Sequence, residues 1–402
     1  MARLASRTQQ FLTFQVVELF KQAQQRREAG HDVISMGIGE PDFTAPVQVL
    51  DALDTAARAG HSGYSAPAGI WPLREAIAQF YATHFGASVD PKRVLVTAGA
   101  SGALALACAA LIDPGAEVLM PDPSYPANSN FILAAGGVPR LIPATAQARY
   151  QLSAEDIRAH WGPQTRGVLI ASPSNPTGTS VTREALREII EEVRSRDGFI
   201  IMDEIYLGLS YDGQAQSALT LDDDIIIVNS FSKYFHMTGW RLGWLILPEA
   251  ISEHVEKIAA SLAICAPTLA QHAALACFTP DVLEIYANRM QAFRQRRDYL
   301  LQAFKQLGLH VPVAPDGAFY IYVDVSDTGL DSVTFSQRLL CEANVAAVPG
   351  IDFGPAHGLH TVRFSYATSL ERLKEAVARI EQWLPGVRAG HAADREAVSL
   401  PA

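Results

Sequence analysis

Short apolar, β-rich runs recur between residues 46 and 285, separated by stretches with helical spacing. They are VLVT from residue 94, EVLMP from 117, GVLIAS from 167, FIIMDE from 199, DIIIVNS from 224 and LGWLIL from 242. Several are apolar at nearly every position, as strands covered on both faces are, and this predicts a mostly parallel sheet between helix layers. The expected fold class is therefore α/β, a three-layer α/β/α arrangement. Upstream, residues 8–29 predict an amphipathic helix with Phe14, Val17, Phe20 and Ala23 near one face, closed by Gly30. DVISMGIGEPDFTAP follows as a short strand running into a Gly and Pro turn. Beyond residue 285 come a long charged helix (YANRMQAFRQRRDYLLQAFKQL), the strands FYIYVDV and TVRFSYA, and a last helix to Trp383. The pattern divides the chain into an N-terminal arm (1–45), a large domain (46–285), a small α+β domain (286–387) that the arm joins, and a disordered tail (388–402).

Composition narrows the function classes. The 402 residues carry 32 basic and 42 acidic side chains, a net charge of −10, which argues against nucleic acid or an anionic membrane as the main partner. The longest apolar runs fall short of a membrane span, and MARLASRTQQF lacks the apolar segment of a secretion signal, so a cytoplasmic location is expected. Cys108, Cys265, Cys277 and Cys341 include no C-x-x-C pair and read as reduced thiols. His357 and His360 form an H-x-x-H without a third ligand nearby, so no metal is expected.

In an open parallel sheet, ligands gather beyond the carboxyl ends of the strands. After VLVT, the turn Gly99-Ala100-Ser101 opens a helix and offers backbone N–H groups and a hydroxyl suited to a phosphate. After GVLIAS, Asn175 sits in the rigid turn SNPTG. After FIIM come Asp203, Glu204 and Tyr206, where a carboxylate entering at the end of an apolar strand needs a cation or donors. After IIIVN come Ser230, Ser232 and Lys233, with Arg241 close behind. Taken singly, Ser101 reads as a helix cap, Asn175 as a turn residue and Lys233 as a surface charge. Taken together they suit a phosphorylated aromatic aldehyde with a ring nitrogen, because a lysine whose pKa is lowered by burial and neighbouring cations can form a Schiff base.

The motifs GEPDF, YSAPAGIWPLREAI, PDPSYP, SNPTG, MDEIY, SFSKYFHMTGWRLGW, VPGIDFG and VRFSYA stand in this order over residues 12–387. In this the chain resembles the class I/II pyridoxal-phosphate-dependent aminotransferases of fold type I. The resemblance implies that Lys233 carries pyridoxal 5'-phosphate as a Schiff base and later shuttles a proton, and that Asp203 pairs with the ring nitrogen. It implies that Asn175 and Tyr206 bond the phenolic oxygen and that Tyr125 stacks on the ring. Gly99, Ala100, Ser101, Ser230, Ser232 and Arg241 would hold the phosphate, joined by Tyr64 from the second subunit of a homodimer. Arg363 would clamp the substrate α-carboxylate, helped by Gly39 and Asn175.

By the same resemblance the reaction is a ping-pong transfer of an amino group from an L-amino acid to a 2-oxo acid. Acid-specific branches meet the side chain with a phosphate-loop lysine or a partner arginine. Here the loop residue is Ser101, and no Lys or Arg lies between Lys257 and Arg289. Neutral or apolar amino acids are therefore expected, with Phe11, Phe14 and Ile38 as pocket walls. The alternatives are a C–S β- or γ-lyase on the same fold and a non-catalytic cofactor-binding regulator.

Overall fold

In the strand Val94–Thr97 the side chains of Val94 and Val96 enter one apolar cluster and that of Leu95 enters another. The same alternation runs through neighbouring strands, so Ile200 and Met202 face one way and Ile201 the other. Helices Trp71–His84 and Arg183–Arg194 cover the first face with Ile77, Phe80, Ile189 and Val193. Helices Gly99–Leu111 and Glu249–Ala263 cover the second with Ala103, Leu104, Val255 and Ala259. Each buried Ile or Leu contributes roughly 1.5–3 kcal/mol against exposure, which is why near-continuous apolar strands settle between two layers. The computed structural model describes residues 3–11 and 15–398.

The strands described are β1 (Ile34–Ser35), β2 (Val94–Thr97), β3 (Glu117–Asp122), β4 (Val138–Pro143), β5 (Thr165–Ala171), β6 (Phe199–Asp203), β7 (Ile226–Ser230) and β8 (Gly243–Ile246), followed by β9 (Tyr320–Asp324), β10 (Val345–Ala346), β11 (Val348–Pro349) and β12 (Thr361–Ser365). The large sheet has the order β2-β8-β7-β6-β5-β3-β4, with β8 antiparallel to β2 and β7 and the remaining pairs parallel. The carboxyl ends of β2, β3, β5, β6 and β7 consequently share one edge. Strand β4 is an addition to the sequence expectation. It is a half-exposed edge strand with a proline at its second and last positions, and so lacks the apolar run of its neighbours.

A smaller antiparallel sheet, β11-β12-β9, packs with Phe335, Leu339, Leu373 and Ile380, while β1 pairs in parallel with β10 and ties the arm to this part. Helix Pro280–Gln306 serves both parts, since Val282 and Tyr286 enter the large core and Phe293, Leu300 and Phe304 the small one. The boundary expected at residue 285 thus falls inside one continuous helix. The arm forms a 3-10 turn, Ser6–Gln9, and a helix, Gln15–Glu28. Its buried face is Leu19 and Ala23 against Val33, Leu340 and Ala346, whereas Val17 is exposed and Phe14 lies outside the described residues.

The last helix, Leu370–Val398, runs beyond the end expected at Trp383 and passes through Pro385. Arg388 anchors it by donating to the carbonyls of Leu307 (2.9 Å) and Gly308 (3.0 Å) and by pairing with Asp327. The Ala, Arg and Glu that follow favour helix, so the stretch expected as a disordered tail is helical to Val398, and residues 399–402 lie outside the described residues. Among the described residues no helix is long and apolar enough to cross a membrane, and no cluster of His, Cys, Asp or Glu suits a metal ion.

Candidate active site

A cavity of about 390 Å³ opens over the shared strand edge. Its lining takes Ala100 and Ser101 from the turn after β2, Tyr125 from the loop after β3 and Asn175 from the loop after β5. Asp203 and Tyr206 follow β6, and Ser232, Lys233 and Arg241 follow β7. Register explains the convergence: Ala171 pairs with Asp203, Asp203 with Val228, and both Ser230 and Thr97 with Gly243. The arm and the smaller sheet close the other side with Gly39 and Arg363.

Lys233 Nζ donates to the Gly39 carbonyl at 2.5 Å. Burial holds its ammonium down to about 8. Arg363 and Arg241 push in the same direction, whereas Glu40 and Asp203 oppose them. Asp203 is almost fully buried, and burial raises its carboxyl to about 6, against the lowering effects of the Ile205 N–H and Lys233. Its Oδ1 accepts that N–H at 3.0 Å. The neighbouring Glu204 points to the other side of β6, accepting from Ser217 Oγ (2.9 Å), Ala218 N–H (2.8 Å) and Tyr81 OH (3.2 Å), with burial holding its acid up to about 7. One carboxylate of the Asp-Glu pair thus lines the cavity and the other is bound within the fold.

The turn at Gly99 is shaped around Arg241. Gly99 has φ +74°, and a Cβ there would lie 2.5 Å from Arg241 Nη2. Arg241 itself is left-handed (φ 53°, ψ 55°), a conformation that costs a non-glycine residue about 1 kcal/mol or more, and its Nη1 donates to Thr238 O at 3.0 Å. Ser230 is a step behind this front: its hydroxyl lies 2.9 Å from Ser232 Oγ and 3.0 Å from Leu242 O, and it accepts from Ser232 N–H. Ser232 lines the cavity, but Ser230 and Gly99 do not.

Arg363 is held from three sides. Nη1 donates to Asn175 Oδ1 (2.7 Å) and Nη2 to Gly37 O (2.6 Å), and the guanidinium carbon lies 4.4 Å from the Tyr320 ring centre and 4.8 Å from that of Phe353. Tyr320 also pairs its hydroxyl with that of Tyr206 at 2.8 Å, and a Cβ on Gly39 would come within 2.6 Å of the same oxygen. Neither Tyr320 nor Phe353 was singled out from the sequence, where both sit in runs that read as strand or loop. Tyr64 is 82% exposed and stands apart from the cavity. The expected walls are not those observed. Phe11 and Ile38 are each 40% exposed and do not line the cavity, Phe14 lies outside the described residues, and the arm helix presents Val16 and Phe20 instead.

Residues 31–380 match the family described as aminotransferase class I and II. The chain belongs to this family. It is 38% identical over 374 residues to a valine–pyruvate aminotransferase of Mycobacterium tuberculosis, covering 92% of this chain and 96% of that one. It is 35% identical over 384 residues to a (5-formylfuran-3-yl)methyl phosphate transaminase of Methanocaldococcus jannaschii, with 95% and 99% covered. A crystal structure of an aminotransferase from Mycobacterium tuberculosis superposes with a TM-score of 0.92 at 38% identity, covering 96% of this chain and all of that one. The names of the two sequence relatives give different substrates.

Proposed function

We propose that this member of the family is a pyridoxal-phosphate-dependent aminotransferase that moves an amino group from an L-amino acid with a neutral or apolar side chain to a 2-oxo acid. The observation that carries the reading is the meeting in one cavity of Lys233, held down to about 8, with Asp203, Asn175, Tyr206, Arg241 and Arg363. The donor set fits the cofactor. Asp203, raised to about 6 with no cationic side chain hydrogen-bonded to it among the described residues, suits a protonated ring nitrogen. Because Gly99 has no Cβ, the Arg241 guanidinium packs directly against the turn that presents Ala100 and Ser101 to the cavity, and this suits a phosphate, to which guanidinium bonds are charge-assisted. When bound, pyridoxal phosphate supplies an aldehyde that condenses with amines and a ring that takes up electron density as the substrate Cα loses its proton.

The chain's own residues do the remainder. Lys233 would hold the aldehyde carbon and, once released, its Nζ would take the proton from the substrate Cα and deliver it across the amino nitrogen to the carbon that had held the lysine. A pKa near the working pH suits both directions of that transfer. Asp203 would keep the ring nitrogen protonated, Asn175 and Tyr206 would bond the phenolic oxygen, and Tyr125 would stack on the ring. Ala100, Ser101, Ser232 and Arg241 would hold the phosphate, with Ser230 bracing Ser232. Arg363 takes the α-carboxylate, with Gly39 and Asn175 beside it, and orients Cα toward Lys233.

Neutral side chains are favoured because the cationic residues lining the cavity, Lys233, Arg241 and Arg363, are already assigned, while Val16, Phe20, Leu104, Phe131 and Phe353 supply apolar wall. The exposure of Tyr64, together with that of Trp71, Leu262 and Ile264, supports a homodimer in which Tyr64 reaches the partner's phosphate site. A half-reaction panel tests the reading, with the cofactor's visible absorbance followed for each amino acid and the product identified. A 2-oxo acid that keeps the donor's side chain is expected. Pyruvate and a free thiol from cystathionine would make the chain a lyase instead.

A further inference from the structure

Val16 N–H is a donor of the arm helix's first turn, where no carbonyl of the helix itself can reach. Asp352 supplies the acceptor from 336 residues away, its Oδ2 lying 2.7 Å from Val16 N. A carboxylate at a helix N-terminus is also favoured by the helix dipole. The turn that carries it is itself fixed: Phe353 O accepts from Ser124 N–H (2.8 Å), Ala356 N–H donates to Asp122 Oδ2 (3.0 Å), and the Phe353 ring lies against Arg363. The far end of the arm helix is docked on the small part, where Arg26 Nη2 donates to Cys341 O and Asn344 Oδ1, each at 2.9 Å, and Leu19 and Ala23 are buried. Its near end projects over the cavity, which Val16, Phe20 and Asp352 all line.

We propose that Asp352 is a positioning residue that seats the first turn of the arm helix and thereby sets Val16 and Phe20 as the apolar wall facing the substrate side chain. The contact with a substrate rests on the function proposed above; the seating of the helix does not. Two variants separate charge from hydrogen bonding. Asp352→Ala removes the acceptor, whereas Asp352→Asn keeps an oxygen for Val16 N–H. Val16→Pro removes the donor from the other side, in a first turn that tolerates proline.

The test is hydrogen exchange of the cofactor-loaded protein over residues 16–20, together with steady-state kinetics on L-valine. Asp352→Ala should speed exchange there and raise KM for L-valine, each about tenfold, the scale of one charge-assisted hydrogen bond, with kcat little changed. Asp352→Asn, which keeps the acceptor but loses the charge, should recover part of both effects, and Val16→Pro should reproduce the KM effect. Unchanged exchange in Asp352→Ala, an Asp352→Asn as impaired as Asp352→Ala, or a Val16→Pro with wild-type KM would overturn the proposal. Faster exchange in Asp352→Ala alongside a wild type that converts no amino acid would support the seating and refute the proposed function.

Discussion

Replacing Asp203 by asparagine separates what this carboxylate costs the fold from what it contributes to the site. Burial raises the acid from an ordinary 3.8 to about 6 in the cofactor-free chain. A shift of about two units is worth about 3 kcal/mol, and the residue is too buried for solvent to screen it. Between about pH 4 and 6 the folded chain keeps a proton that the unfolded chain has lost. This group's contribution to stability is therefore full below about 4, declines as pH rises through about 6, and leaves the buried charge as a cost at neutral pH. Asparagine has nearly the same shape, retains an oxygen for the Ile205 N–H and carries no charge. Cofactor-free Asp203→Asn should therefore be more stable than wild type at pH 7 by about 2–3 kcal/mol, with the gap closing toward pH 4. Denaturant unfolding of both cofactor-free proteins at pH 4, 5, 6 and 7 measures it. In the loaded enzyme the same change should lower kcat by about two to three orders of magnitude, the scale of losing one preorganised electrostatic partner. A variant less stable than wild type at pH 7, a gap that does not change with pH, or loaded activity within about tenfold of wild type would refute the reasoning.

Three further outcomes follow from the same geometry. Arg363→Ala should raise the KM for amino acids with a free α-carboxylate at least about thirtyfold and leave cofactor binding intact; equal losses of both, in half-reaction and cofactor titrations, would count against the clamp. Gly99→Ala places a methyl 2.5 Å from Arg241 Nη2 in a left-handed backbone, and cofactor titration should show affinity falling at least about tenfold. Because burial holds Lys233 at about 8, the neutral amine is the minor form below that pH and the major form above it. The initial rate of cofactor uptake by the cofactor-free protein should accordingly climb from pH 7 and level off above about 8, and a flat profile would contradict the shift.

The central sheet is legible because strands buried on both faces must be apolar at nearly every position, as Ile226 to Val228 are. The strand ends are legible for a related reason, since polar residues that interrupt such runs, like Asp203 and Asn229, need a use. Strand β4 hides because an edge strand is free to be half polar. The arm helix is legible only in part: of the expected face, Phe20 and Ala23 do point inward. But the helix has two apolar edges, Leu19 and Ala23 toward the small part and Val16 and Phe20 toward the cavity, and a single stripe runs between them through the exposed Val17. Tyr320 and Asp352 escape for a different reason. Their partners, Tyr206 and Val16, lie 114 and 336 residues away, and no local spacing records such a pairing. The last helix extends past Pro385 through a tertiary anchor at Arg388 that composition cannot show.

The most direct measurement of the account is chemical. The protein is loaded with pyridoxal phosphate, its visible absorption is recorded, and it is reduced with borohydride, digested and mapped by mass spectrometry. The account predicts a visible band abolished by reduction and a pyridoxyl group fixed on Lys233, with neither in Lys233→Ala. Label fixed on another lysine, or a Lys233→Ala protein with wild-type turnover, would contradict it.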